Sequence, residues 1–157
     1  MTDLLVKLYD LPEYSALKKQ LERKGYIFKR AIAPEKTFVR QWVQKHFSIL
    51  WADEVDVAFS RQPVSCIVAI KNKEIAGFVC FETTSKNFFG PTGVQEKYRG
   101  EGLGKLLLFL AMDAMKEMGY TYAIIGGAGP VDFYVKTVGA IPIPGSTPGI
   151  YQNLLKN

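Results

Sequence analysis

Histidine is almost missing from this chain: His46 is the only one in 157 residues. Cysteine is nearly as scarce, with Cys66 and Cys80 alone, at neither CxxC nor metal-ligand spacing. These absences remove a disulfide framework and a zinc site of the usual Cys/His type, so no metal is expected. His46 follows Phe38, Trp42 and Val43 at helical spacing and has no suggestively placed carboxylate, so it reads as a packed or surface residue. Both cysteines fall in strand-like runs and read as buried free thiols. Long apolar runs are missing too. The longest, such as Leu106–Met112, are far too short to span a bilayer. The N-terminal residues Met1-Thr2-Asp3-Leu4 show no basic stretch followed by an apolar one, so no signal peptide is read there. A cytoplasmic protein without membrane attachment is the expectation.

What is present suits a globular domain. Nearly half the residues are apolar and 22% are charged, which excludes a disordered chain. The length fits one domain, 1–157. The formal net charge of +5 is all N-terminal in origin: residues 1–50 hold ten Lys/Arg against five Asp/Glu, and the rest is balanced. These basic residues come singly or in pairs, without interleaved aromatics. Solvated helix faces explain them better than a nucleic-acid surface.

Periodicity places the elements. Leu4–Tyr9 reads as a first strand, 12–24 as a helix closed by Gly25, and 34–47 as a second helix. Residues 48–60 are ambiguous, with one or two further helical turns open. Ser65–Ile70 and Ile75–Thr83 read as strands joined by a polar hairpin turn, Lys71–Glu74. Asn87–Val94 is strand-like, but Pro91 cannot donate to a ladder, so a bulge is expected there. A helix over 103–118 follows, with Leu103, Leu106, Leu107, Leu110, Ala114 and Met118 on one face. Then come a strand at Tyr120–Ile125, a turn at Gly126–Pro130, a helix at Val131–Val138, and closing strands at Ala140–Ile143 and Ile150–Leu154.

The most informative stretch is Val94-Gln-Glu-Lys-Tyr-Arg-Gly-Glu-Gly-Leu-Gly-Lys105, which runs straight into the third of these helices. Glycines at 100, 102 and 104 clear side chains from a helix N-terminus, where unpartnered N–H groups and the helix dipole receive anions. A phosphorylated ligand is implied. Spacing excludes two phosphate motifs. A P-loop would need glycine at Arg99 and a hydroxyl at Leu106. A dinucleotide fingerprint would need an acid about 20 residues on, where Gly119–Tyr122 stands. A third pattern, Arg/Gln-x-x-Gly-x-Gly/Ala, is met by Arg99, Gly102 and Gly104. It resembles the pyrophosphate-binding motif of the GNAT N-acetyltransferase superfamily. Downstream, Phe133-Tyr134, Lys136 and Gly139 resemble the Phe-Tyr-x-Lys-x-Gly-Phe signature of the same superfamily, with one extra residue before the glycine. The resemblance spans roughly Ser65 to Tyr151.

The resemblance implies an α/β (α+β) fold with a mixed, mostly antiparallel sheet of six to seven strands and helices on both faces. It implies acetyl-coenzyme A as co-substrate, held by Val94, Arg99, Gly100, Glu101, Gly102, Leu103, Gly104 and Lys105. The acetyl group would pass directly to an amine of a small molecule or peptide, with Tyr134 protonating the departing thiolate. A phenol is protonated at neutral pH and can serve so. Glu54 and Glu82 are candidates for base or substrate contact, with surface carboxylates and a water relay left open. Trp42, Trp51, Phe59 and Tyr151 are candidates for an aromatic acceptor pocket or for core. The polar residue that family members often carry after the strand ending at Ile125 is replaced by Gly126-Gly127. A non-catalytic acyl-coenzyme A-binding module and a homodimer also stay open.

Overall fold

Strict alternation in two neighbouring strands organises the molecule. In β3 (Cys66–Lys71) and β4 (Glu74–Phe81), successive residues point to opposite sides of the sheet. Ile67, Ala69, Val79 and Phe81 enter one apolar cluster, while Cys66, Val68, Phe78 and Cys80 enter another. A sheet buried on both faces needs helices on both faces. The computed structural model, which describes residues 1–156, has that arrangement.

The remaining elements are β1 (Thr2–Lys7), α1 (Ser15–Arg23), β2 (Ile27–Arg30), α2 (Lys36–His46), α3 (Ile49–Phe59), β5 (Phe88–Val94), α4 (Leu103–Glu117), β6 (Tyr122–Ala128), α5 (Val131–Val138) and β7 (Ile141–Pro142). The seven strands run in the order β2-β3-β4-β5-β6-β1-β7. All pairs are antiparallel except β5 with β6. The first cluster takes its helical residues mainly from α4, with Leu21 of α1 and Tyr134 and Val138 of α5. The second takes them from α2 and α3, including Val39, Val43 and Val55. The expected mixed, mostly antiparallel sheet with helices on both faces is therefore present. Phe78, Phe81, Phe109 and four leucines of α4 are almost wholly enclosed; each such side chain contributes about 1.5–3 kcal/mol of transfer free energy.

Three local expectations need revising. The ambiguous stretch 48–60 is helix α3, started by Ser48, whose hydroxyl accepts from the Trp51 N–H at 3.1 Å. Strand β6 runs on through Gly126 and Gly127 to Ala128, where a turn was expected. It continues because β1 gives it a partner as far as Thr2 opposite Ala128, and the Asp3 carboxylate accepts from the Gly127 N–H at 2.8 Å. Residues 150–154 form no strand. Pro148 and Gly149 bend the chain into a short 3-10 turn, Gly149–Tyr151. The position beside β6 that a closing strand would take belongs to β1. The bulge expected around Pro91 is present, as a register shift between Val79 and Phe81 opposite β5. Cys66 and Cys80 are directly opposed across β3 and β4, free and fully buried, and burial holds the Cys80 thiol well above its usual pKa.

Candidate active site

Strands β5 and β6 pair only at Phe88–Ile124 and Phe89–Ile125. Beyond Gly90 they separate, and Pro91–Val94 keeps β4 as its only neighbour. The other edge of this stretch therefore turns unpaired backbone groups toward a wedge-shaped gap. The glycine-rich turn and the start of α4 lie where β5 ends at this gap.

The turn leaves its backbone donors without protein partners. Gly100 and Gly102 have φ of +88° and +93°, in the left-handed region that glycine enters without strain. Gly102 is the N-cap of α4, and its carbonyl accepts from Leu106 N–H at 3.0 Å. Among the described residues, no protein group accepts from the N–H of Gly100, Glu101, Gly102, Leu103, Gly104 or Lys105. A side chain at Gly104 would meet only a Val94 methyl, at 3.6 Å. Six free donors at the positive end of a fifteen-residue helix fit a pyrophosphate.

The side chains of the turn act differently from one another. Buried Leu103 anchors the helix start in the core, whereas Lys105 is exposed. Arg99 folds back, its Nε donating to the Val94 carbonyl at 3.0 Å, and so braces the turn against the end of β5. Glu101 points away from the gap and accepts from the Tyr26 hydroxyl at 2.6 Å. That hydrogen bond, with Lys24 and Lys71 nearby, lowers its pKa. Tyr26 is thus a loop anchor that sequence reasoning missed; only its place just after a helix-ending glycine marked it.

Tyr134 lies on the α4 side of the gap. Its ring is buried, edge-on to Phe89 at 6.1 Å and to Phe133 at 5.2 Å. Burial raises its pKa above that of a free phenol, so the proton stays on through the neutral range.

Phe47, Glu54 and Tyr151 occupy the opposite face of the sheet at the same gap. Phe47, between α2 and α3, packs the end of its ring against Gly93 of β5: a methyl there would come within 2.3 Å of it. Glu54 of α3 accepts from the Thr84 hydroxyl and lies 3.3 Å from that of Thr83. The Thr83 hydroxyl is also 3.1 Å from the Gly90 carbonyl, so its single proton serves one acceptor at a time. Burial raises the Glu54 pKa despite these hydrogen bonds. Arg40 of α2 holds α3 in place through Asp56 at 2.8 Å and Asp53 at 3.0 Å. Tyr151 covers Gly126 and Gly127 at the end of β6.

Of the other candidates, Glu82 stands apart, while Trp42 and Trp51 pack around Phe47 at 5.8 Å and 5.2 Å between ring centres. Glu82 is 1% exposed, accepts from Asn87 N–H at 3.2 Å and pairs with Arg61 at 3.8 Å. It ties the β4–β5 connection and has a structural task. Trp42, Trp51 and Phe59 pack partly buried on the second cluster, and the His46 ring lies 4.8 Å from Trp42. Among the described residues, no group of three or more His, Cys, Asp or Glu is placed to hold a metal, and no helix is long and apolar enough to cross a membrane.

Comparison with known proteins adds to this geometry. The model of the acetyltransferase (GNAT) family matches residues 22–139. No curated protein matches the chain. Among solved structures, the GCN5-related glucosamine N-acetyltransferase region of a fungal multi-domain GH3 β-N-acetylglucosaminidase is similar at a TM-score of 0.74 and 17% identity, over 90% of this chain and 19% of that one. A GCN5-related N-acetyltransferase from Sphaerobacter thermophilus gives 0.67 and 14%, over 90% and 48%. A GNAT family acetyltransferase from Brucella melitensis in complex with acetyl-CoA gives 0.55 and 16%, over 71% and 80%. The chain thus spans about a fifth and about half of the first two proteins. At these identities the likeness is one of fold.

Proposed function

Because the chain belongs to the acetyltransferase (GNAT) family, we propose that it transfers the acetyl group of acetyl-coenzyme A directly to a primary amine of a small molecule or peptide. The observation that carries this reading is the row of free N–H groups from Gly100 to Lys105, set where β5 ends beside the β5–β6 gap. Tyr134 on one face of that gap and Glu54 on the other support it. The scarcity of cysteine, with both thiols buried in strands, supports a cytoplasmic setting.

Bound acetyl-coenzyme A would supply an activated acetyl thioester and a pyrophosphate by which to hold it. The N–H groups of the turn would grip that pyrophosphate, with Lys105 adding positive charge and Arg99 keeping the turn in register with Val94. The unpaired edge of Pro91–Val94 would orient the acetyl group, and a backbone donor aimed at a developing oxyanion is typically worth about 3–4 kcal/mol. Glu54, whose raised pKa brings it nearer neutrality, would take the proton that the ammonium must lose before it attacks. Tyr134, still protonated, would donate to the departing sulfur. Neither cysteine is required as a nucleophile.

Incubation with acetyl-coenzyme A and a panel of primary amines tests the reading. Free thiol should appear in proportion to acetylated amine. Tight coenzyme A binding with no thiol release from any amine would replace the proposal with a non-catalytic acyl-coenzyme A-binding module.

The turn can be tested by itself. Gly102→Ala puts a Cβ on a residue at φ +93°, costs about 1–2 kcal/mol of stability and weakens acetyl-coenzyme A binding. Gly119→Ala is the control: φ there is +102° with open space around it, at the far end of α4 from the turn. It should lose comparable stability in chemical denaturation and keep its cofactor affinity. Equal affinity losses in the two variants would remove the turn from the binding site.

A further inference from the structure

The chain turns sharply after β4, and a buried carboxylate that acetyl transfer does not use fixes the turn. Glu82 has φ of +65°, in the left-handed region that a residue with a side chain occupies only when its surroundings hold it there. Its N–H donates to the Phe88 carbonyl at 2.8 Å, and its carboxylate accepts from Asn87 N–H and pairs with Arg61. The bend carries Thr83 and Thr84 against Glu54 of α3.

Both hydroxyls meet the same oxygen. Thr84 donates to Glu54 Oε1, and the Thr83 hydroxyl lies 3.3 Å from that atom. Thr83 divides its proton between Glu54 and the Gly90 carbonyl, 3.1 Å away, so its hold is partial. Oε2 has no partner among the described residues, and unlike the unpartnered Ser65 hydroxyl it is not sealed from solvent. The other titratable groups around this carboxylate are Cys80 of β4 and Tyr151 of the C-terminal tail. Burial keeps both protonated through the neutral range, and the charge of Glu54 adds to the effect. Among the described residues no cation pairs with Glu54. The two threonines are therefore what favours its charged form against burial.

We infer that Thr84, seconded by Thr83, is a positioning residue for proton transfer: it holds Oε1 of the Glu54 carboxylate and leaves Oε2 as the oxygen that takes the proton. This rests on the acetyl-transfer reading for the source of that proton. An N–H bond of the ammonium breaks as an O–H bond forms at Oε2; the amine keeps the electron pair, and Glu54 becomes a neutral acid. A neutral acid is the weaker acceptor, so the Thr83 proton then passes its hydrogen bond to the Gly90 carbonyl.

The test compares the full-length wild type with Thr84→Val and Thr84→Ser. The Glu54 carboxyl carbon is titrated by NMR, its signal assigned by its loss in Glu54→Gln. The pH profile of kcat is measured over the same range with acetyl-coenzyme A and n-butylamine. Valine keeps the shape and removes the hydroxyl, at an exposed position where the fold should tolerate it. Glu54 should hold its proton about 10-fold more tightly in Thr84→Val, as expected on losing one hydrogen bond to a charged group. The acidic limb of kcat should move to higher pH by the same amount, with KM for acetyl-coenzyme A unchanged. Serine returns the hydroxyl and should restore both. A Glu54 titration that stays put in Thr84→Val, or moves as far in Thr84→Ser, overturns the inference. A titration that moves without the rate limb, or without any thiol release, would instead defeat the reading of Glu54 as the base in acetyl transfer and leave the threonine clamp standing.

Discussion

Tyr134→Phe is expected to lower kcat by about 10²–10⁴-fold, the usual worth of a positioned proton donor, while acetyl-coenzyme A binds as before. The substitution removes one oxygen. The ring contacts with Phe89 and Phe133 that enclose this residue are kept, so thermal stability should change little. Because burial moves the phenol pKa upward, the wild-type rate should not fall through loss of this proton anywhere in the neutral range. Steady-state kinetics with separate measurement of cofactor affinity decide the matter. A variant with unchanged kcat would strip Tyr134 of its role as acid and leave the binding turn untouched.

Glu54→Gln carries the second large effect, and its signature is in the pH profile. If Glu54 takes the ammonium proton, the wild-type rate falls as pH drops through its raised pKa. Glutamine keeps an acceptor for Thr84 but abolishes that limb, leaving only the dependence due to the amine itself. A fall in kcat of about 10²–10⁴-fold is expected. Stability should move the other way. The folded state holds this proton to higher pH than the unfolded chain does, because burial penalises the carboxylate. Its stabilising contribution is complete below the unfolded pKa and is lost as pH rises through the folded one. At neutral pH the charged Glu54 is therefore a cost that glutamine removes, and Tm should hold or rise. A variant that loses activity and stability together would mark Glu54 as structural.

These two residues were not equally legible in the sequence. Tyr134 sits in a local motif, and α5 was readable from its own residues. The glycine-rich turn was legible for the same reason: Gly100, Gly102 and Gly104 precede an unmistakable apolar helix. Strands β3 and β4 declared themselves by alternation. Glu54 was one of two candidates, and only packing separates them. Glu82 is closed in by Arg61 and Asn87, while Glu54 is only partly buried and reaches Thr83 beside Gly90. The tail misled because Ile150, Leu154 and Leu155 have the composition of a strand. Whether apolar residues pair depends on a free sheet edge beside them, and here β1 holds the place next to β6. Nothing in residues 2–7 marks a partner at 122–128, just as nothing local to Asp3 reveals Gly127.

That placement of β1 has a consequence for how the protein comes to be made. Val6 lies opposite Ala123, and Leu4 opposite Ile125. At translation rates of about 5–20 residues per second, β1 leaves the ribosome on the order of ten seconds before β6 exists. Throughout that time Leu4 and Val6, both fully enclosed in the finished molecule, have no sheet to join. The β3–β4 hairpin can assemble as it emerges, since its contacts are local. The wedge cannot, because Asp3 and its strand dock only once β6 has been synthesised. A chain stalled before β6 would carry four of the seven strands in its sheet, β2 to β5, and an apolar β1 with no partner.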